Sequence, residues 1–200
     1  TYQVVLISMS GVRVYNQKLL ELGLTLPGFV DRSKVIASLP SLALLTLAAH
    51  TSEHWEVVYR ELDQYTSTDI DNIISLSPDL VAFSSLTARI NETYKLCGQF
   101  KSAGIKTVIG GLHVSALPEE GMQYADSIIQ GEGEKTWERL LKDFENNQLK
   151  PIYSSFTNKQ DVFQLSESKI PRYELLDISK YNRLTIQTTR GCPLHCSFCA

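Results

Sequence analysis

Residues 79–111, DLVAFSSLTARINETYKLCGQFKSAGIKTVIGG, read as one strand–helix–strand unit. Asp79 to Ser84 and Ile105 to Ile109 are short apolar runs with β-branched residues, bounded by turn residues. Between them, Ala88 to Ala103 carries a helical pattern in which Ile90, Tyr94, Cys97 and Phe100 share a stripe, which makes Cys97 a buried helical thiol. Gly104 stands where that helix must end. Two strands separated by a crossing helix pair in parallel, because a tight turn cannot return the chain to the same end of the sheet.

The pattern repeats on both sides. Tyr2 to Ser8, Trp55 to Arg60 and Asp126 to Gln130 are further strands, and helices are expected from Pro40 to His50, Thr68 to Leu76, from Pro118, and from Glu134 to Glu145. Pro40 and Pro118 suit first helical positions, and Pro78 stops the helix before it. In the last helix Trp137, Leu140, Leu141 and Phe144 form one apolar stripe. Such alternation predicts an α/β fold, a flavodoxin-like (Rossmann-like) doubly wound parallel sheet with strand order 2-1-3-4-5. The first crossover, Met9 to Leu39, is unusually long, and loops of that length are generally functional or flexible.

Residues 1–147 are therefore read as one domain and 148–183, with Asn146, Asn147, Pro151 and Pro171 in and around them, as a linker. A sixth strand, Leu184 to Thr188, is expected to open a second domain over residues 184–200. Three cysteines crowd the last nine residues, and a chain that stops one residue beyond them is expected to be part of a longer protein.

The 19 Lys and Arg against 22 Asp and Glu give a net charge of −3, which excludes a strongly basic nucleic-acid binder. With 43% hydrophobic and 20% charged residues the chain is ordinary globular protein. The apolar stretch from Leu42 to Ala49 is far too short to span a membrane, and no basic region leads into an apolar run at the amino terminus. The expected location is the cytoplasm, with no membrane partner. Four cysteines are too few for a disulfide scaffold.

The tail, TTRGCPLHCSFC, places Cys192, Cys196 and Cys199 in C-x3-C-x2-C spacing after the expected strand. Three thiolates can hold three irons of a cuboidal cluster and leave the fourth iron open as a substrate site. A zinc site including His195 is the rival, although His195 and Cys196 are adjacent and diverge too much to close a compact tetrahedron easily.

This loop resembles that of the radical S-adenosylmethionine superfamily, with Phe198 as the aromatic residue before the third cysteine. The resemblance implies a 4Fe-4S cluster on Cys192, Cys196 and Cys199, S-adenosylmethionine chelated by the open iron, and Phe198 near its adenine. An electron donor for the cluster is implied as a partner.

In open parallel sheets ligands gather at the carboxyl ends of strands. Here those ends read Ser84-Ser85-Leu86, Gly110-Gly111 and Gly131-Glu132-Gly133-Glu134, small or polar where a ligand would approach. With the string GGLHVSALPEE from Gly110, they resemble the cobalamin-binding domain that precedes the radical S-adenosylmethionine barrel in a large subfamily. By resemblance Ser84, Leu86, Gly110, Gly111, His113, Gly131 and Glu132 become cofactor-binding candidates.

From the residues alone, Gly110-Gly111 also fits a tight turn, His113 a satisfied loop histidine, and Glu132 and Glu134 a favourable helix start. The family's D-x-H-x-x-G element is absent, since the first loop reads Ser8-Met9-Ser10-Gly11, so cobalamin is expected without a histidine lower ligand. The resemblance implies a parent enzyme that cleaves S-adenosylmethionine reductively to start methyl transfer or another radical transformation on an unknown substrate. These 200 residues alone are expected to have no turnover.

The rival reading is a flavodoxin-like module in which Ser8, Ser10 and Gly11 cradle a flavin phosphate, or in which no ligand binds, the cysteines being a redox or zinc appendage. Phosphate loops normally feed straight into a helix, and none is expected here for about thirty residues.

Overall fold

In a computed structural model, the structure describes residues 1–9, 39–62, 65–157, 163–181 and 184–192. The bulk of the long first crossover, Ser10, Gly11, His195, Cys196, Phe198 and Cys199 lie outside the described residues.

Alternation of strand and helix produces the expected sheet. In chain order the elements are β1 (Tyr2–Met9), α1 (Leu42–Ala49), β2 (Trp55–Glu61), α2 (Ser67–Ser75), β3 (Leu80–Ser85), α3 (Ile90–Ser102), β4 (Lys106–Gly110), α4 (Leu112–Ala116), α5 (Pro118–Gly121), β5 (Ser127–Gln130), α6 (Glu134–Glu145) and β6 (Ile152–Ser154). All pairings are parallel, and the order is β2-β1-β3-β4-β5-β6, which is 2-1-3-4-5 with one strand added.

Side-chain alternation splits the core in two. Val5, Ile7, Val81, Phe83 and Ile109 face α2 and α3, whereas Val4, Leu6, Leu80, Ala82 and Val108 face α1 and α6. Both faces are covered, which is why the central strands read as near-continuous apolar runs. Cys97 is fully buried on the α3 stripe, and burial pushes its thiol up to about 12.

The structure corrects the sequence reading in four places. Pro40 is not the first residue of α1: Ser41 is the cap, its hydroxyl accepting the Leu44 N–H (3.4 Å) while its own N–H donates to the Tyr59 hydroxyl (2.9 Å). A short helix, α4, precedes the helix expected at Pro118. The segment read as linker contains β6, where Ile152 pairs with Ile128, and Tyr153 is fastened to α6 by donating to Asp143 (2.9 Å). A three-residue strand is too short for its period to register in sequence.

Last, Leu184 to Thr188 forms no strand. A strand exists by its ladder, and no described strand pairs with this segment. It is a strap without regular secondary structure, with Ile186 exposed, held by the Tyr173 hydroxyl donating to the Thr185 carbonyl (2.6 Å). Among the described residues no helix is long and apolar enough to cross a membrane.

Candidate functional site

Strand order reverses between β1 and β3, so the crevice at their carboxyl ends is where the connecting loops part and a ligand can enter. The register places Ser8 beside Ser84 and Ser84 beside Gly110, on the sheet face shared with α1 and α6. This row of small residues runs across three central strands, flanked by Glu61 on β2 and Ile129 on β5. Further along that face the same strands carry the larger Val4, Leu6, Leu80 and Val108, so the row forms a notch at the edge.

Ser8 is nearly inaccessible and belongs to β1 rather than to a phosphate-binding loop. The Ser8 hydroxyl faces the phenol of Tyr59, whose pKa is raised by burial first and by the neighbouring Glu61 carboxylate. Ser84 and Gly110 are only half-buried. A Cβ built on Gly110 would meet Ile129 Cβ at 3.9 Å and the Phe83 carbonyl oxygen at 4.0 Å, so among the described residues a small side chain there would make only ordinary contacts. Beside the notch, Leu86 after β3 and Leu112 after Gly111 are 48% and 72% exposed, unusual for leucines and apolar enough to meet a flat hydrophobic ligand.

Gly111 has a different task. Its φ is +115°, and a Cβ there would lie 3.0 Å from the Ser85 carbonyl oxygen, so the chain can leave β4 and pass against the β3 end only as glycine. Ser85 in turn accepts from Thr93 on α3 (2.8 Å), which fixes the β3 loop. The two glycines that sequence could not separate thus divide into a clearance and a turn.

His113 is brought to the same edge but turns to the α3 side. It is 9% exposed, with Nδ1 3.3 Å from Thr87 Oγ1 and Nε2 3.4 Å from Glu120 Oε1, and it ties the loops after β3 and β4 together. Beside it, burial and the Glu120 carboxylate raise the Tyr94 phenol above its usual range. All three described histidines sit against protein carboxylates, His50 on Glu138 and His54 on Glu145 being the others.

Gly131 and Glu132 reach the carboxyl edge as well, and there they are engaged by protein. Gly131 has φ +82° and donates its N–H to Ser115 Oγ (2.9 Å), while a Cβ on it would collide with Ser155 Oγ and the Phe156 ring. The Glu132 N–H donates to Ser155 Oγ (2.8 Å), and its carboxylate accepts the Phe163 N–H (2.9 Å). Arg190 completes the cluster, at 3.5 Å from Glu132 and 2.5 Å from Glu134, with its guanidinium over the Phe163 ring at 5.3 Å. The hydrogen bond with Glu134 raises the Arg190 pKa further. Arg190 and Phe163 were not singled out in sequence as site residues. Arg190 showed only as context for the cysteines, and its partner lies 56 residues away.

Cys192 is exposed and directly follows Gly191, whose φ is +85°. Among the described residues no three His, Cys, Asp or Glu side chains stand together as metal ligands, and the other two cysteines of the spacing fall outside them.

A family model described as "B12 binding domain" matches residues 30–141. The chain is 32% identical over 162 residues to bacteriochlorophyllide d C-8(2)-methyltransferase of Chlorobaculum tepidum, covering 80% of this chain and 35% of that protein. It is 26% identical to hopanoid C-2 methylase of Rhodopseudomonas palustris, covering 82% of this chain and 31% of the relative. This chain thus spans about a third of the length of these relatives. Among solved structures, the cobalamin-dependent S-adenosylmethionine radical enzyme OxsB with aqua-cobalamin bound superposes with a TM-score of 0.53 at 17% identity, over 74% of this chain and 19% of OxsB. That likeness supports the parallel α/β fold.

Proposed function

The chain belongs to the B12-binding domain family, and from that premise we propose that it holds cobalamin for a radical S-adenosylmethionine enzyme of which it forms the amino-terminal part. The observation that carries the proposal is the row of small residues Ser8, Ser84 and Gly110 across three neighbouring strand ends, edged by exposed Leu86 and Leu112. Small residues there let a large flat ring or its nucleotide tail approach the backbone. Leu86 and Leu112 offer apolar surface that a corrin face would cover.

The donor set fits cobalamin without a histidine beneath cobalt, since His113, the described histidine at this edge, has both ring nitrogens against protein, Nδ1 on Thr87 and Nε2 on Glu120. For the cluster the fit rests on chemistry alone: C-x3-C-x2-C supplies three soft thiolates, and the zinc reading lacks a well-placed fourth ligand. When bound, cobalamin and the S-adenosylmethionine-binding cluster supply the reactivity, and the protein supplies orientation and exclusion of water. The names of two relatives, a bacteriochlorophyllide d methyltransferase and a hopanoid methylase, support methyl transfer as the parent's reaction. Reduced thiols of this kind suit the cytoplasm.

Anaerobic titration of the full-length protein with hydroxocobalamin tests the reading. About one corrinoid per chain is expected to remain after gel filtration. A protein eluting free of corrin absorption overturns the proposal.

A further inference from the structure

Glu134 begins α6 with its carboxylate 6% exposed, and a carboxylate so nearly removed from water requires a fixed cation. Arg190 supplies it, and both terminal nitrogens of its planar fork are engaged: Gln187 Oε1 accepts at 2.9 Å, Glu132 lies at 3.5 Å, and the Phe163 ring lies under the guanidinium. Glu132 is fastened in turn by the Phe163 N–H. The strap has a second anchor upstream where Tyr173 holds Thr185. Past Arg190 only Gly191, in a left-handed conformation, separates this fixed point from Cys192, so the Cys192 Cα stands within about 7 Å of the Arg190 Cα.

We infer that Arg190, clasped by Glu132 and Glu134, is a positioning residue that holds Cys192 at the carboxyl edge of the sheet. The G-E-G-E box then serves as the receptor for the arginine of R-G-C rather than as a cofactor contact. The inference rests on the reading of Cys192 as a cluster ligand, and its test separates the two.

Two readouts are made on the full-length protein. The first is the rate of tryptic cleavage after Arg190, which requires the guanidinium to leave its carboxylates and enter the protease. Glu134→Gln is expected to raise that rate on the order of tenfold, the ratio a charge-assisted hydrogen bond sustains, and Glu134→Asp to raise it less, with cleavage after other lysines and arginines unchanged. The second is the electron paramagnetic resonance spectrum of the reduced, iron- and sulfide-loaded protein, whose g-values are expected to shift in Arg190→Ala and to return toward wild type in Arg190→Lys, with hydroxocobalamin binding unaltered. Unchanged cleavage in Glu134→Gln, faster cleavage everywhere, or a spectrum indifferent to Arg190→Ala overturns the inference. A wild-type protein that takes up no cluster sinks the radical-enzyme reading instead, and the cleavage rates still decide whether the clasp exists.

Discussion

The loops after β4 and β5 look alike as sequence, Gly110-Gly111 and Gly131-Glu132-Gly133, yet they end in opposite conditions. Among the described residues a Cβ on Gly110 would meet nothing closer than 3.9 Å, whereas one on Gly131 would collide with Ser155 and Phe156. The first loop lies one strand from the strand-order reversal; the second, on the adjacent strand, is closed by the chain's own later segments. A glycine therefore marks a close approach, and only the packing tells whether the approaching group is ligand or protein.

The comparison breaks most visibly at Gly131. Gly131→Val would force a β-branched residue to φ +82° and drive its Cβ into Ser155 Oγ, the acceptor that holds the Glu132 N–H. Strain and overpacking together predict a loss of about 4 kcal/mol, read as a lower denaturant midpoint. Unchanged stability would mean that the β5 loop is as open as its neighbour.

Gly110→Val should do the reverse. A Cβ there would meet only ordinary contacts among the described residues and the strand conformation suits valine, so unfolding free energy should change by less than about 1 kcal/mol. Hydroxocobalamin affinity should fall about 100-fold, close to 2.7 kcal/mol, because two methyl groups then occupy the notch. Equal affinity for both proteins would remove Gly110 from the site and leave the notch without its purpose.

Much of this contrast was hidden from sequence for a geometrical reason. The periods of β1 to β5 and of α3 and α6 survive in the chain because each element buries one stripe or one run, so sheet order and both cores were legible from local pattern. Ser84, Leu86 and Gly110 were legible because topology puts strand ends where ligands bind. What fills the β5 loop was not, since Ser155, Phe156, Phe163 and Arg190 arrive from 24 to 59 residues downstream of Gly131, through a segment in which the only strand among the described residues, β6, is three residues long. Residues 184–188 misled for the opposite reason: their alternation is strand-like, but a ladder needs a partner, and side-chain anchors hold this segment instead.

The smallest effect concerns the other end of the same two strands, where β4 and β5 must stay in register for either loop to be aimed. Asp126, just before β5, accepts from the Thr107 N–H (3.0 Å), the Thr107 hydroxyl (2.9 Å) and Lys106 (3.0 Å). Burial pushes its pKa up, but these three donors outweigh burial and hold the carboxyl below its usual range. A depressed carboxyl stabilises the fold above its unfolded-state value near 3.9, and the contribution disappears as pH falls through the folded-state value. Asp126→Asn keeps the shape and removes the charge, so it should cost about 1 kcal/mol at pH 7. The gap to wild type should narrow once the pH drops below about 4. Both loops lie at the opposite edge, so hydroxocobalamin affinity should stay within about threefold, the scatter expected of distant independent sites. A large loss of affinity in Asp126→Asn would show that the notch depends on strand register, and the sharp division between an open β4 loop and a closed β5 loop would give way to a single coupled edge.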